Sequence, residues 1–459
     1  MSETVGNPGK PKRKGSMRTF YTIVLTQTLS IIGSRISSLA IGIWLYNETG
    51  NATPLALVAF FGMLPMILAA SFAGVLADRW DRRYVMAISD GGQAIGTVLL
   101  MLSFLSGDFQ IWHLYAIAAL QSLFGAFQGP AFTSSITMLV PDDKRDRANS
   151  LVQLSSPMAG IIAPAVAGFV FALVGVVGTL VIDLATFLVA FIVILNVTIP
   201  RPKKTKDAAE NQRAFLADMT TGIRYIWQKR PLFWGILFVT LLNFLVSGAG
   251  VLMTPYILAR TGSEAQLGIL LSLMDLGAVA GGIFMGVWGG TRPRIHAAMI
   301  GSIMLCVIMI LVGMAQSFVA LAVVLGLMLF PNMMVNASFM SILQSKIAPD
   351  VQGRVFATID QFAMLMIPIA YLLAGPLADN VFEPAVTRDI WTPLAPFFGA
   401  EAGSGMGLQI SLYAGMALLA TLAMYATPSI RRLEATLPDF VSTENDEDVL
   451  EHMPEAVAV

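Results

Sequence analysis

Arg35, Asp90, Asp183, Asp275 and Asp360 stand inside long apolar runs, where an ionised side chain has little water to solvate it. A charge at the centre of a membrane-spanning helix costs about 3 kcal/mol or more, so it is seldom kept without a partner or a task. Arg35 lies about sixteen residues into the first run, or about 24 Å along a helix. Asp275 lies about nine residues into the eighth run, where its charge is costly and a proton on it can become part of a working cycle. Asp183 is equally deep in the sixth. Arg35, Asp183 and Asp275 are therefore the candidates for coupling to protons, Asp275 first among them, with a structural ion pair or hydrogen bond as the competing explanation for each. For Asp183 that competing explanation weighs more. Asp90 and Asp360 lie only about 9 Å from the ends of their helices, where water or loop arginines reach them.

A second group is polar or aromatic without being charged. Gln121, Phe124, Gln128 and Phe132 recur at helical spacing in the fourth run, Asn243 lies in the seventh, and Asn332 and Asn336 lie in the tenth. Aromatic surface with sparse amide groups suits a large, partly apolar ligand. For any one of them taken alone, packing between helices is the better explanation. Enzyme chemistry has little to work with. His113, His296 and His452 fall at a run end, beside a loop and near the C-terminus, so they form neither a nucleophile-base pair nor a metal cluster. No Gly-rich phosphate loop ending in Lys-Ser or Lys-Thr occurs, so ATP hydrolysis by that route is excluded. No cofactor, metal or nucleic-acid partner is expected. The single cysteine, Cys306, excludes an internal disulfide and reads as a small core residue.

The elements that must position these residues follow from composition: 56% of the 459 residues are hydrophobic and 12% charged. A soluble fold could not hide that much apolar surface. Crossing a bilayer takes about 20 mostly apolar residues in a helix. Such stretches lie near 19–46, 52–77, 84–105, 110–139, 148–173, 176–197, 231–259, 266–289, 295–315, 317–345, 354–380 and 405–427. They are too long and too continuously apolar for the alternating strands of a membrane barrel. The fold expected is an all-α membrane protein of twelve transmembrane helices.

Basic residues orient it. With the N-terminus inside, 25 of the 28 fall on the cytoplasmic side, and only Arg260 and Arg388 fall outside, with Arg35 within a span. A wrong helix count would scramble that bias. Both termini are thus expected in the cytoplasm, with the chain in a bacterial cytoplasmic (inner) membrane. The first run is longer than a signal-peptide core and is expected to stay. Residues 1–18 form a basic N-terminus, and 428–459 hold Glu434, Asp439, Glu444, Asp446, Glu447, Asp448, Glu451 and Glu455, which read as a solvated, disordered acidic tail.

The long basic connection at 198–230 divides the spans into six-helix bundles, 19–197 and 231–427. Weak repetition supports the division. Pro141-Asp142 with Arg147 precedes the fifth span and Pro349-Asp350 with Arg354 the eleventh, at an offset near 207 that also pairs Gly168 with Gly375. Two parallel six-helix repeats describe one large class of secondary transporters, whose binding site lies between the halves.

Between the second and third spans, Gly74-Val75-Leu76-Ala77-Asp78-Arg79-Trp80-Asp81-Arg82-Arg83 resembles the signature loop of the major facilitator superfamily. The resemblance covers nearly the whole chain. It implies two pseudo-symmetric six-helix bundles, generally working as a monomer, and a conformational latch in which Gly74 allows close packing, Asp78 caps or pairs with a neighbouring helix end, and Arg79, Arg82 and Arg83 hold the loop in the cytoplasm. Asp81 departs from the pattern, which usually has Gly there. The second-half counterpart, Gly286 to Arg294, has Gly290 at the place of the acid.

The fifth span carries Gly160-Ile161-Ile162-Ala163-Pro164-Ala165-Val166-Ala167-Gly168, which resembles the superfamily's antiporter motif, with Ala163 and Ala167 replacing glycines. Gly160, Pro164 and Gly168 give a smooth surface on which another helix can slide. Tyr371 stands opposite Pro164 in the repeat, which confines the motif to the first half, as in drug antiporters. The texts Gln121 to Ala131, Ile182 to Phe187 and Gly353 to Phe356 are similar to the macrolide-efflux and siderophore-export branch. Gln121 departs from that branch, which often has an arginine there. The resemblance implies a proton antiporter exporting small, partly apolar molecules by alternating access. A proton-coupled importer, a lysolipid flippase and a non-transporting scaffold or sensor are the alternatives.

Overall fold

A computed structural model describes residues 17–197, 230–347, 349–431 and 434. The rest of the basic N-terminus, nearly all of the 198–230 connection and, apart from Glu434, the acidic tail beyond Arg431 lie outside the described residues. Among the described residues there is helix and no strand.

Four helices open the chain: α1 (Met17–Thr49), α2 (Thr53–Arg79), α3 (Arg82–Leu105) and α4 (Ile111–Leu139). Next comes α5 (Arg145–Asn196), a continuous run broken at Gly175, whose φ of 65° and ψ of −170° are open to glycine and strained for other residues. It covers the fifth and sixth expected spans. The seventh span is α6 (Arg230–Val251) and α7 (Met253–Thr261), interrupted at Leu252. The eighth and ninth are α8 (Glu264–Trp288) and α9 (Arg294–Met314). The tenth divides at Leu329 into α10 (Phe318–Met328) and α11 (Phe330–Lys346), and α12 (Pro349–Leu377) and α13 (Ser404–Ala426) complete the set. Ten described helices are long and apolar enough to cross a membrane. The α5 run counts once among them although it crosses twice, and α4 falls short because Gln121, Gln128 and His113 dilute its apolar content.

Local sequence sets the helix ends. Asp81 caps α3, its Oδ1 accepting from Arg83 N at 3.1 Å, which gives the acid at the usual glycine position a local task. Ser263 caps α8 in the same way, accepting from Gln266 N. Large apolar side chains face outward throughout; Leu173 is 83% and Val287 86% exposed, an arrangement that favours lipid over water as the outer solvent.

In lipid no hydrophobic drive holds helix to helix, so close contact of backbones must do it. A Cβ added to Gly33 would collide with Thr186 on α5, one on Gly277 with the Gly326 carbonyl on α10, and one on Gly313 with the Gly407 carbonyl on α13. Helices α1–α5 form one half and α6–α13 the other, and the halves meet along two seams. In the first, α5 lies on α8: a Cβ on Gly268 would strike the Pro164 carbonyl, one on Gly168 would strike the Glu264 carbonyl, and Ser272 Oγ donates to Ile161 O at 2.8 Å. In the second, α12 lies on α2, with the Thr53 Cα 2.7 Å and the Ala56 Cβ 2.8 Å from the place of a Gly375 Cβ. Both seams tighten at the end where α1 finishes, called the far end below. There Asn47 Nδ2 also reaches across to Glu264 Oε1 at 3.2 Å.

Gly313→Ala places its methyl against the Gly407 carbonyl and is expected to cost about 1–3 kcal/mol by forcing α9 from α13. Thermal unfolding of purified protein in detergent checks this, with Gly282→Ala, which meets nothing within 4 Å, expected to unfold at or above the wild-type temperature.

Candidate functional site

A cavity of about 790 Å³ opens between the halves and is lined mainly by the first. Ser34, Ser37 and Ser38 of α1, Met63 and Met66 of α2, Gln93 and Thr97 of α3, Gln121, Ser122 and Gln128 of α4, and Asp183 and Phe187 of α5 form its walls. The second half adds Gly250, Val251, Thr254 and Tyr371. Among the described residues the lining is therefore apolar surface with amide and hydroxyl groups, one carboxyl and no basic side chain.

These polar groups are tied into one chain of hydrogen bonds. Asp90 is fully buried, with Oδ1 accepting from Gln128 Nε2 at 2.6 Å and Oδ2 from Gln27 Nε2 at 3.1 Å. Gln128 Nε2 also donates to Gln27 Oε1 at 2.6 Å, and Gln128 Oε1 accepts from Gln93 Nε2 at 2.8 Å. The Gln93 carbonyl accepts from Gln121 Nε2 at 3.1 Å, which donates to Thr97 Oγ1 at 3.0 Å as well. The Thr97 hydroxyl then donates to Asp183 Oδ2 at 3.0 Å, and Ser34 Oγ donates to Asp183 Oδ1 at 3.0 Å. Two buried acids on α3 and α5 thus lie at the ends of one network, each met by neutral donors. Water and loop arginines were the expected company of Asp90; amides take their place because α1 and α4 cover it.

Three residues singled out in sequence from three separate spans come together at the α5–α8 seam. The place of a Gly160 Cβ is 2.7 Å from Asp275 Oδ2 and 3.0 Å from Arg35 Nη1. Arg35 on α1 and Asp275 on α8 therefore face each other from opposite halves within about 6 Å, a separation at which opposite charges attract appreciably in a protein. A side chain at Gly160 would push these two side-chain ends from their places. Arg35 Nη2 also donates to Ser156 Oγ at 3.0 Å.

The other candidates fall as follows. Gln121, Gln128 and Asp183 line the cavity. The Phe124 ring packs where a Gly92 Cβ would be, between α4 and α3. Asn336 Nδ2 donates to Asn332 O at 2.9 Å and Oδ1 at 3.1 Å, joining the two on α11, while Asn243 is half-buried on α6. Neither Phe124 nor these three asparagines is among the residues lining this cavity. Pro164 and Gly168 lie in the seam with α8. Gly74, Asp78 and Arg79 belong to the last turns of α2, their side chains lying outside what the structure describes; Arg83 Nε donates to Ile194 O at 3.1 Å, and Arg82 is half-buried. Gln27, Ser34, Gln93 and Thr97 are the site residues that sequence reasoning missed. An amide in an apolar run is as unusual on α1 and α3 as on α4, so the two glutamines carried a usable signal. Serine and threonine did not.

The sequence profile of the Major Facilitator Superfamily matches residues 23–371. The chain belongs to this superfamily. It is a multi-pass membrane protein of a transporter family. It is 27% identical over 371 residues to macrolide efflux protein A of Streptococcus pyogenes, covering 79% of this chain and 90% of that protein. It is 24% identical over 378 residues to the multidrug efflux pump Tap of Mycobacterium tuberculosis, covering 78% and 87%. Among solved structures, a bacterial homologue of the iron transporter ferroportin, in an inward-facing state, superposes with a TM-score of 0.67 at 13% identity over 88% of this chain and 97% of that one. A bacterial homologue of the lysosomal transporter Spinster, inward-facing and occupied, gives 0.64 at 14% identity over 90% and 95%. At such identities the likeness is one of fold.

Gln128→Leu leaves Asp90 Oδ1 without its 2.6 Å donor and is expected to lower stability by about 1–3 kcal/mol. Adding Asp90→Leu removes the stranded acceptor and is expected to recover part of that loss, measured as a double-mutant cycle in thermal unfolding.

Proposed function

We propose that this chain is a secondary active exporter of small, partly apolar molecules, drug-, macrolide- or siderophore-like, driven by proton antiport in a bacterial cytoplasmic membrane. The observation that carries the reading is the meeting of Arg35 and Asp275 across the antiporter-motif glycine Gly160. Opposite charges on opposite halves favour closure of the seam, and a proton on Asp275 cancels the attraction. Proton occupancy and closure are thereby linked, which is what exchange of a proton for cargo requires. Efflux by the named relatives supports the direction.

In this account the far end faces outside and both termini lie in the cytoplasm. Six-helix bundles at 19–197 and 231–427 rock about the two glycine seams, joined by the 198–230 linker, and residues 428–459 form a cytoplasmic acidic tail. Cargo reaches the cavity from the cytoplasm while the far end is shut, as it is in this conformation. The halves then part at the far end, cargo leaves, and Asp275 takes a proton that is released inside after closure. Gln121 and Gln128 with Phe124, Asn243, Asn332 and Asn336 form the wider cargo-contacting set, and Asp183 is the cavity's own carboxyl. One acid and no base in the lining favours neutral or basic cargo over anions. Gly74, Asp78, Arg79, Arg82 and Arg83 latch the cytoplasmic side in the opposite state. The protein works as a monomer.

Cells overproducing the protein are expected to extrude fluorescent dyes or macrolides, and a protonophore is expected to abolish the extrusion. Asp275→Asn and Arg35→Ala should leave the protein folded in the membrane and reduce export by an order of magnitude or more. Net uptake of the same compounds would reverse the assigned direction, and full export by either variant would remove that residue from the coupling.

A further inference from the structure

The start of α2 lacks a cap of its own. A helix leaves its first N–H groups without partners, and a side-chain acceptor at the residue before the helix normally meets them. That residue is Ala52, which has no acceptor to offer and is 2% exposed, so water does not reach it freely. Asn51 could serve, but its Nδ2 turns back to donate to Thr49 O at 2.9 Å. Pro54 at the second helical position has no N–H to satisfy.

The missing cap comes from the other half. Asp379, at the end of α12, accepts from Ala52 N at 2.8 Å through Oδ1 and from Thr53 N at 2.7 Å through Oδ2. It sits in the π-helical turn Ala378–Phe382 that follows α12, one turn beyond Gly375, whose close approach to Thr53 brings the carboxylate into line. The pseudo-equivalent seam is built differently. There Gly168 meets Glu264 as Gly375 meets Thr53, but α8 carries its own cap in Ser263. The first seam joins its packing to side-chain contacts such as Ser272 to Ile161 and Asn47 to Glu264, and the second joins its packing to a carboxylate of one half set on a helix N-terminus of the other, where the peptide dipoles favour negative charge.

We infer that Asp379 is a positioning residue of the transport cycle, which holds the far end shut by capping α2 from the opposite half. Both hydrogen bonds exist only while α12 lies on α2, and both must break whenever the far end opens. Water then replaces each partner, so the clasp biases the closed state without locking it. This rests on alternation of the two halves and not on the direction of transport or the nature of the cargo.

The test is the distance between spin labels at Glu48→Cys and Arg388→Cys, both exposed at the far end on opposite halves, measured by pulsed electron resonance on purified protein in lipid nanodiscs. Asp379→Ala is expected to raise the ratio of open to closed far ends about tenfold. Asp379→Asn keeps the size of the side chain but sets an amide donor against one of the two N–H groups and removes the charge; it is expected to shift the ratio the same way. Glu383→Ala, which removes a carboxylate that caps α13 within the second half through Gly403 N and Met406 N, is expected to lower stability and leave the distances unchanged. Adding Ala52→Asp to Asp379→Ala gives α2 a cap of its own and is expected to restore thermal stability without restoring closure. Wild-type distances in both Asp379→Ala and Asp379→Asn, or closure regained with Ala52→Asp, would overturn the inference. Because no cargo is present, these outcomes are separate from those of the export assay: a clasp without export, or export without a clasp, is distinguishable.

Discussion

Backbone and side-chain polar groups in the hydrocarbon region must find their partners inside the protein, because lipid offers none. Helices answer this for the backbone. For side chains the answer here is a chain of glutamines, hydroxyls and two acids held between α1, α3, α4 and α5, which keeps Asp90 and Asp183 satisfied without a cation beside them. The second half contributes little to this network, and the cavity is correspondingly one-sided. A one-sided cavity keeps this polar order within the first half.

The same solvent removes the hydrophobic drive between helices, so movement and cohesion both depend on small residues. Gly168, Gly268 and Gly375 bring the backbones of the two halves into contact along two seams. Smooth glycine faces can part and re-form without side chains interlocking. Polar contacts cross the seams as well: Asn47 to Glu264 and Asp379 to the start of α2 on the far side, and the facing charges of Arg35 and Asp275 deeper in. Fold alone does not name a cargo; that depends on the groups set into the cavity and the seams.

Much of the architecture was legible because membrane helices announce themselves by length and uniform apolarity. The break between the fifth and sixth spans fell where glycine permits it, at Gly175, and the antiporter-like text ended up in contact with α8. The breaks at Leu252 and Leu329 each come shortly before a proline, Pro255 and Pro331, which has no N–H for the carbonyl four residues back, so that signal was in the sequence and the continuous apolarity of the two runs masked it. Within the site, depth along a helix singled out Arg35, Asp183 and Asp275 but said nothing of rotation about its axis. That is why Phe124, at cavity spacing with Gln121 and Gln128, could turn to fill the space above Gly92. Asp379 escaped notice because it lies at a helix end, where an acid is unremarkable, and because its partner is 326 residues away in the chain.

The central claim is that the halves rock as units about the two seams, closing one end as they open the other. Four labelled sites test it directly: Glu48 with Arg388 at the far end and Tyr84 with Arg292 at the other, all exposed. Spin-label distances for the two pairs are to be recorded with and without a transported compound. The account predicts that the compound lengthens the first distance and shortens the second in the same sample. Distances that stay fixed, or that change in the same sense at both ends, would contradict it.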